Sequence, residues 1–164
     1  MNLIIDIGNS RVKIVAMEGD RILREWVIEN IDNQFVGAIF EEYDIARAIV
    51  VSTRGNELAI ADMVEAHGAK TIIFKPATTA IPIGNDYHTP ETLGADRLAA
   101  AVGAWAMYGD RDIMIVDFGT AITIDYVVGG AFVGGNISPG VTTRFRALAD
   151  YTARLPLCSA TEQV

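Results

Sequence analysis

The stretch LIIDIGNSRVKIVAM (residues 3–17) drives an apolar run into a turn made of an acid, a glycine and small polar residues, then leaves along a second apolar run. The turn is Asp6-Ile7-Gly8-Asn9-Ser10. Glycine lets the main chain approach a ligand closely, Asn9 and Ser10 offer small donors, and consecutive amides in such a turn can hold phosphate oxygens. Asp6, at the end of the first run, is then available to a metal ion. The pattern returns in IMIVDFGTAITIDYVV (residues 113–128), where an apolar run ends in Asp117-Phe118-Gly119-Thr120 and turns back. A single unit of this kind is compatible with an ordinary hairpin; two in one chain predict a duplicated architecture with a ligand-holding turn in each half.

Composition sets the outer limits. A chain of 164 residues that is 51% apolar suits one ordinary domain or two small ones. The formal net charge of -8 argues against polyanion binding, which relies on clustered Lys and Arg, so no nucleic-acid partner is expected. A nucleotide site stays open, because a metal, a few amides and one or two cations can meet a triphosphate locally. The longest nearly uncharged apolar run, residues 98–108, is too short to cross a bilayer, and the N-terminus carries Asp6 inside its first apolar segment with no basic region before it. These features lead to the expectation of a cytoplasmic, unprocessed protein with no membrane partner. Cys158 is alone, which excludes an intrachain disulfide framework and suits a reducing compartment.

Read in order, residues 2–7, 11–17 and 21–28 predict three strands, the last two joined by a tight Glu18-Gly19-Asp20 turn. Apolar residues at helical spacing predict a helix over 31–42, and a continuous apolar centre predicts a buried parallel strand over 46–52. A second helix over 56–67 should end at Gly68 in a left-handed cap, with a strand following at 71–74. Three antiparallel strands followed by helix, strand, helix and strand is the order of a ribonuclease H-like lobe. Residues 76–90, holding three of the five prolines, read as the connection and substrate-facing loop. A helix follows from Ala95 to Gly109, with Leu98, Ala99, Val102, Trp105 and Ala106 along one face. Strands over 112–117, 121–128 and 131–137 then repeat the three-strand opening, and Ser138 with Pro139 reads as the cap and first turn of a helix running toward Tyr151. The expected fold is α/β, with one lobe over 1–88 and the start of a second over 89–164.

Four motifs occur in one order: D-x-G-N-S-x-x-K at Asp6 to Lys13, G-A-D-R at Gly94 to Arg97, D-F-G-T-A at Asp117 to Ala121, and G-G-x-I-x-P-G at Gly134 to Gly140. Duplicated hairpins are the phosphate grips of the acetate kinase, sugar kinase, Hsp70 and actin superfamily. Within it, these motifs resemble the type III pantothenate kinases, which phosphorylate pantothenate to 4'-phosphopantothenate with ATP in the first step of coenzyme A synthesis.

The resemblance implies a role for each matching residue. Asp6, Ile7, Gly8, Asn9, Ser10, Arg11, Val12 and Lys13 would bind the ATP phosphates, and Thr120 would contact ATP. Gly94, Ala95, Asp96 and Arg97 would bind pantothenate, with Asp96 taking the hydroxyl proton and Arg97 meeting the carboxylate with its planar fork. Asp117 would hold a monovalent cation, K⁺ or NH₄⁺, while Mg²⁺ would lean on the phosphates and Asp6. Tyr87 reads either as a wall of the pantothenate pocket or as an exposed loop tyrosine, and Lys13 as facing phosphate or solvent. The family forms homodimers, and the small-residue helix after Asp96 suits either a dimer contact or packing within the chain.

Family members are longer by about half this length again, and a threonine they use on pantothenate, downstream of the last motif, has no position here. A second reading is therefore a non-catalytic nucleotide-binding module of the same fold. An actin-like structural subunit ranks below both, since it leaves Asp96-Arg97 without a purpose.

Overall fold

The hairpin that opens the sequence forms the middle of a five-stranded mixed sheet in a computed structural model that describes residues 1–159. Its strands are β1 (Asn2–Ile7), β2 (Val12–Glu18), β3 (Arg21–Ile28), β4 (Arg47–Ser52) and β5 (Lys70–Ile73), in the order β3-β2-β1-β4-β5. β1 runs antiparallel to β2 and parallel to β4, and β4 runs parallel to β5. Period-two alternation sends Leu3, Ile5 and Ile7 of β1 and Val12, Ile14 and Ala16 of β2 to one face. All are buried there beneath Val36 and Ile39 of α1 (Asn33–Glu42) and Ile60 and Val64 of α2 (Glu57–Ala66). The same alternation leaves Asp6 and its cross-strand partner Lys13 on the opposite face.

Helix α1 starts two residues later than its apolar spacing predicts. Asp32 accepts a hydrogen bond from the Phe35 amide at 2.8 Å, so it caps the helix, and Ile31 stays outside and packs against the core from the loop. The predicted cap after α2 is present: Gly68 has φ +100°, and its amide bonds the Glu65 carbonyl at 2.9 Å.

The remaining elements are β6 (Gly84–Asn85), a single 3-10 turn at Pro90–Thr92, α3 (Ala95–Tyr108), β7 (Ile113–Phe118), β8 (Ala121–Val128), β9 (Ala131–Pro139) and α4 (Val141–Tyr151). They build a four-stranded sheet of order β6-β9-β8-β7. β8 and β9 turn at Gly129-Gly130, both with positive φ, as a two-residue hairpin requires. The proline-rich connection is not wholly irregular: Gly84 and Asn85 pair in parallel with Ala131 and Phe132, at a point where a Cβ on Gly84 would lie 2.9 Å from that of Ala131.

Ser138 and Pro139 do not begin a helix. They are the last residues of β9, opposite Ile122 and Ala121, and α4 starts only after Gly140. The reason is a backbone contact: the Gly140 amide donates to the Thr120 carbonyl at 2.9 Å, and a Cβ on Gly140 would run into the Gly119 oxygen. The strand must therefore run as far as the β7–β8 turn before the chain can bend into the helix.

Two units result. Met1–Ala80 with Pro90–Asp96 forms one, and Ile81–Thr89 with the chain from Arg97 onward forms the other, so two short segments exchange sides relative to a single cut after residue 88. β7, β8, β9 and α4 repeat the order of β1, β2, β3 and α1. In the first unit β1 gains β4 as a parallel neighbour; among the described residues no strand lies on the corresponding edge of β7. Met114, Val116 and Phe118 of β7 are exposed. No helix among the described residues is long and apolar enough to cross a membrane.

Candidate functional site

In the first unit the Asp6–Lys13 turn is closed by the Gly8 amide donating to the Arg11 carbonyl at 3.0 Å. Ile7 and Val12 are fully buried, so each has only main-chain groups to offer a ligand, whereas Asn9, Ser10, Arg11 and Lys13 are exposed and Asp6 is half-buried. A loop that the sequence reading passed over braces this turn. Thr53 donates to the Ile7 carbonyl through its amide (3.0 Å) and its hydroxyl (3.2 Å), and Arg54 Nε donates to the Gly8 carbonyl at 2.7 Å. The turn is thus held from outside through the Ile7 and Gly8 carbonyls and from within by the Gly8 amide. One carboxylate beside amides and small hydroxyls fits Mg²⁺, which keeps several waters and relies on phosphate oxygens for the rest of its shell.

Beside this turn lies a cavity of about 550 Å³, within the roughly 300–1,000 Å³ usual for small-molecule sites. It opens at the carboxyl ends of the parallel strands β4 and β5, where open α/β sheets place their ligands. Ser52 and Thr53 line it from the end of β4, Phe74 and Lys75 from beyond β5, and Leu93, Gly94 and Ala95 from the segment leading into α3. Thr53 thus touches both the glycine turn and the cavity. Two of the four G-A-D-R residues are in the wall, and Asp96, which follows them, is exposed in the first turn of α3. Glu57 also lines the cavity; one of its oxygens is buried without a partner, and the other lies 4.0 Å from Lys75 Nζ. Neither Glu57 nor Lys75 stands in a motif, so sequence spacing gave no sign of them.

In the second unit, the β7–β8 turn carries Asp117 and Thr120, both exposed. The Thr120 carbonyl accepts from the Gly140 amide and, at 2.8 Å, from the Thr143 hydroxyl, so both of its lone pairs are engaged. A monovalent cation at Asp117 would accordingly be met by the carboxylate and by oxygens other than this one. Among the described residues no three His, Cys, Asp or Glu side chains gather as a ready-made metal cage.

Arg97 is only 7% exposed and reaches Asp125 in the middle of β8. Its Nε donates to both carboxylate oxygens at 3.0 and 3.1 Å, and Nη2 donates to Oδ1. The Asp125 hydrogen bonds hold the guanidinium above its ordinary pKa, against the opposing effect of burial. The Tyr87 and Phe132 rings lie 6.0 and 5.9 Å from the guanidinium carbon, so Tyr87 is a half-buried neighbour of Arg97 and not a free loop tyrosine. Asp125 was missed in the sequence because it belongs to no quoted motif; a single acid within the apolar run AITIDYVV was the available signal.

The Gly134-Gly135 pair makes the room for this group. A Cβ on Gly134 would stand 3.4 Å from the Tyr87 ring, and one on Gly135 would meet Asp125 Oδ1 at 2.7 Å and run into the Ile124 carbonyl. Gly135→Ala is therefore expected to lower the stability of the second unit by about 1–3 kcal/mol, read as a reduced midpoint in urea, while Gly129→Ala, which meets no neighbouring atom, should disturb only the turn.

A family-wide sequence profile described as type III pantothenate kinase matches residues 2–163. A type III pantothenate kinase of Bacteroides fragilis is 38% identical over 162 residues, covering 98% of this chain and 66% of its own length. That of Cytophaga hutchinsonii is 33% identical over 172 residues, covering 99% and 67%. The chain thus spans about two thirds of the length of these relatives. Among solved structures, a Baf family transcriptional activator from Campylobacter jejuni superposes with a TM-score of 0.55 at 20% identity, over 99% of this chain and 67% of its own. A 2-dehydro-3-deoxygalactonokinase from Sinorhizobium meliloti gives 0.53 at 13% identity, over 93% and 58%. These two show the fold alone: α/β, with mixed sheets. The profile and the relatives together establish that this chain belongs to the type III pantothenate kinase family.

Proposed function

We propose that the chain carries the ATP-dependent phosphorylation of pantothenate to 4'-phosphopantothenate, the first step of coenzyme A synthesis. The observation that carries the reading is Thr53: it braces the carbonyl at the base of the glycine turn and lines the cavity that Gly94 and Ala95 close. A phosphate-holding turn and an acceptor cavity with a common wall are what direct transfer between two bound substrates requires.

In this reading, amides and small side chains of the 6–13 turn orient the triphosphate, and Asp6 would hold Mg²⁺ together with the phosphates. The cavity takes pantothenate, Asp96 accepts the proton of its primary hydroxyl as that oxygen attacks the γ-phosphorus, and ADP leaves. Bound Mg²⁺ would supply charge neutralisation on the phosphate oxygens. Thr120 contacts ATP, Asp117 holds K⁺ or NH₄⁺, Arg97 meets the acceptor's carboxylate, and Tyr87 lines the pantothenate pocket. A cytoplasmic homodimer is part of the same proposal.

The alternative reading is a nucleotide-binding module of the same fold without turnover. An assay coupling ADP release to pantothenate, with ATP and Mg²⁺ in K⁺ or Na⁺ buffer, separates the two. Pantothenate-dependent ADP release that is faster in K⁺ supports the kinase reading. ATP binding by calorimetry with no pantothenate-dependent release supports the module.

A further inference from the structure

The cavity of the first unit holds a polar pair with no role in the phosphoryl transfer described above. Glu57, in the first turn of α2, and Lys75, just past β5, both line it, and every residue of its wall belongs to the first unit. Glu57 Oε2 is buried with no hydrogen-bond partner, and Oε1 stands 4.0 Å from Lys75 Nζ, beyond the length of a direct hydrogen bond. A buried acceptor without a donor is costly, so a carboxylate kept in this state at a cavity wall needs an explanation. The nearby hydroxyls do not supply the proton: Thr53 donates to the Ile7 carbonyl, and Ser52 donates to the Asn56 side chain at 2.9 Å. Lys75 stands on a closed turn, in which the Thr78 and Thr79 amides donate to its carbonyl at 3.1 and 2.9 Å and its own amide donates to the Thr79 hydroxyl at 2.8 Å.

We propose that Glu57 and Lys75 are specificity-determining residues that clamp one alcohol hydroxyl of the acceptor, Glu57 accepting its proton in a hydrogen bond and Lys75 donating to its oxygen. This rests on the pantothenate kinase reading above and adds to it the group that the cavity reads. A hydroxyl both donates and accepts, and an oxygen about 2.8 Å from each partner spans a gap of 4.0 Å. The other charged residue of the wall is Glu91, so two acids and one lysine face the cavity and favour a neutral donor over an anion. Pantothenate carries two hydroxyls. The primary one reacts, and the secondary one is the ligand of the clamp, which sets how the reacting hydroxyl is presented. Glu57 and Lys75 thus act on the substrate's position and take no part in proton transfer.

The test is calorimetric titration of the full chain with pantothenate and with its analogue lacking the secondary hydroxyl. Wild type should bind pantothenate more tightly by about tenfold or more, as expected for a hydrogen bond to a charged group. In Glu57→Ala that ratio should fall toward one, and in Lys75→Met it should narrow by about threefold. A merely structural role would weaken both compounds alike and leave the ratio in place. A folded Glu57→Ala with the wild-type ratio therefore overturns the inference. Carbon-13 spectra of the wild-type side-chain carboxylates provide a readout that needs no variant. The Glu57 signal should move with pantothenate and stay with the analogue; equal movement with both overturns the clamp. Pantothenate-dependent ADP release, measured alongside, keeps the two readings apart. Release with an unchanged ratio in the variant sinks the clamp alone, whereas a wild type that binds neither compound overturns the kinase reading, and the inference with it.

Discussion

Asp96→Asn is expected to cut pantothenate phosphorylation by about 10³-fold, within the 10²–10⁴ range usual for a positioned base, with ATP affinity unaltered. The asparagine side chain has nearly the same shape and can still accept a hydrogen bond from the hydroxyl. It cannot take the proton, and a primary alcohol is a weak nucleophile until that proton has somewhere to go. Asp96 follows directly on Gly94 and Ala95 in the cavity wall and stands exposed at the start of α3, where the helix dipole favours a negative charge. The loss should therefore appear in kcat with little change in KM for pantothenate, measured by initial rates at saturating ATP. A loss confined to KM would make Asp96 a binding residue and move the search for a base to Glu57, whose buried oxygen has no partner.

The second large effect is on stability. Arg97→Leu removes the partner of a carboxylate that is 1% exposed, and leaving a charge buried without compensation costs about 3–5 kcal/mol. The double variant, Arg97→Leu with Asp125→Leu, leaves no charge behind and should recover most of that loss. Urea unfolding of wild type, both single variants and the double variant closes the cycle. If the double variant is as unstable as the sum of the singles, the two side chains do not act as a pair, and the niche formed by Gly134 and Gly135 needs another explanation. This measurement is independent of activity, so it holds for either functional reading.

Most elements of the fold were legible because they rest on local signals. Alternation in residues 2–7 and 12–18, helical spacing in 57–66, and glycines at 68, 109, 129 and 130 that take positive φ each act within a few residues. The misplaced start of α4 shows where such signals fail. Ser138-Pro139 has the local look of a helix start, but the amide of Gly140 is committed to Thr120, twenty residues earlier in the chain, and this contact keeps both residues in the strand. Asn85 and its strand partner Phe132 were likewise invisible as a pair, since a two-residue strand has no period to detect.

The candidate site divides along the same line. The turn at Asp6 to Lys13 and the G-A-D-R segment are contiguous chemistry, and the sequence by itself determined them, along with the family, since a glycine beside an acid at a strand end constrains its own neighbourhood. Only tertiary structure decided that Thr53 and Arg54 brace that turn, that Glu57 and Lys75 share the cavity with Gly94, and that Asp125 holds Arg97. Each of these contacts joins residues far apart in the chain through strand order and register. Those depend on how whole faces are buried, and no single stretch of residues encodes them.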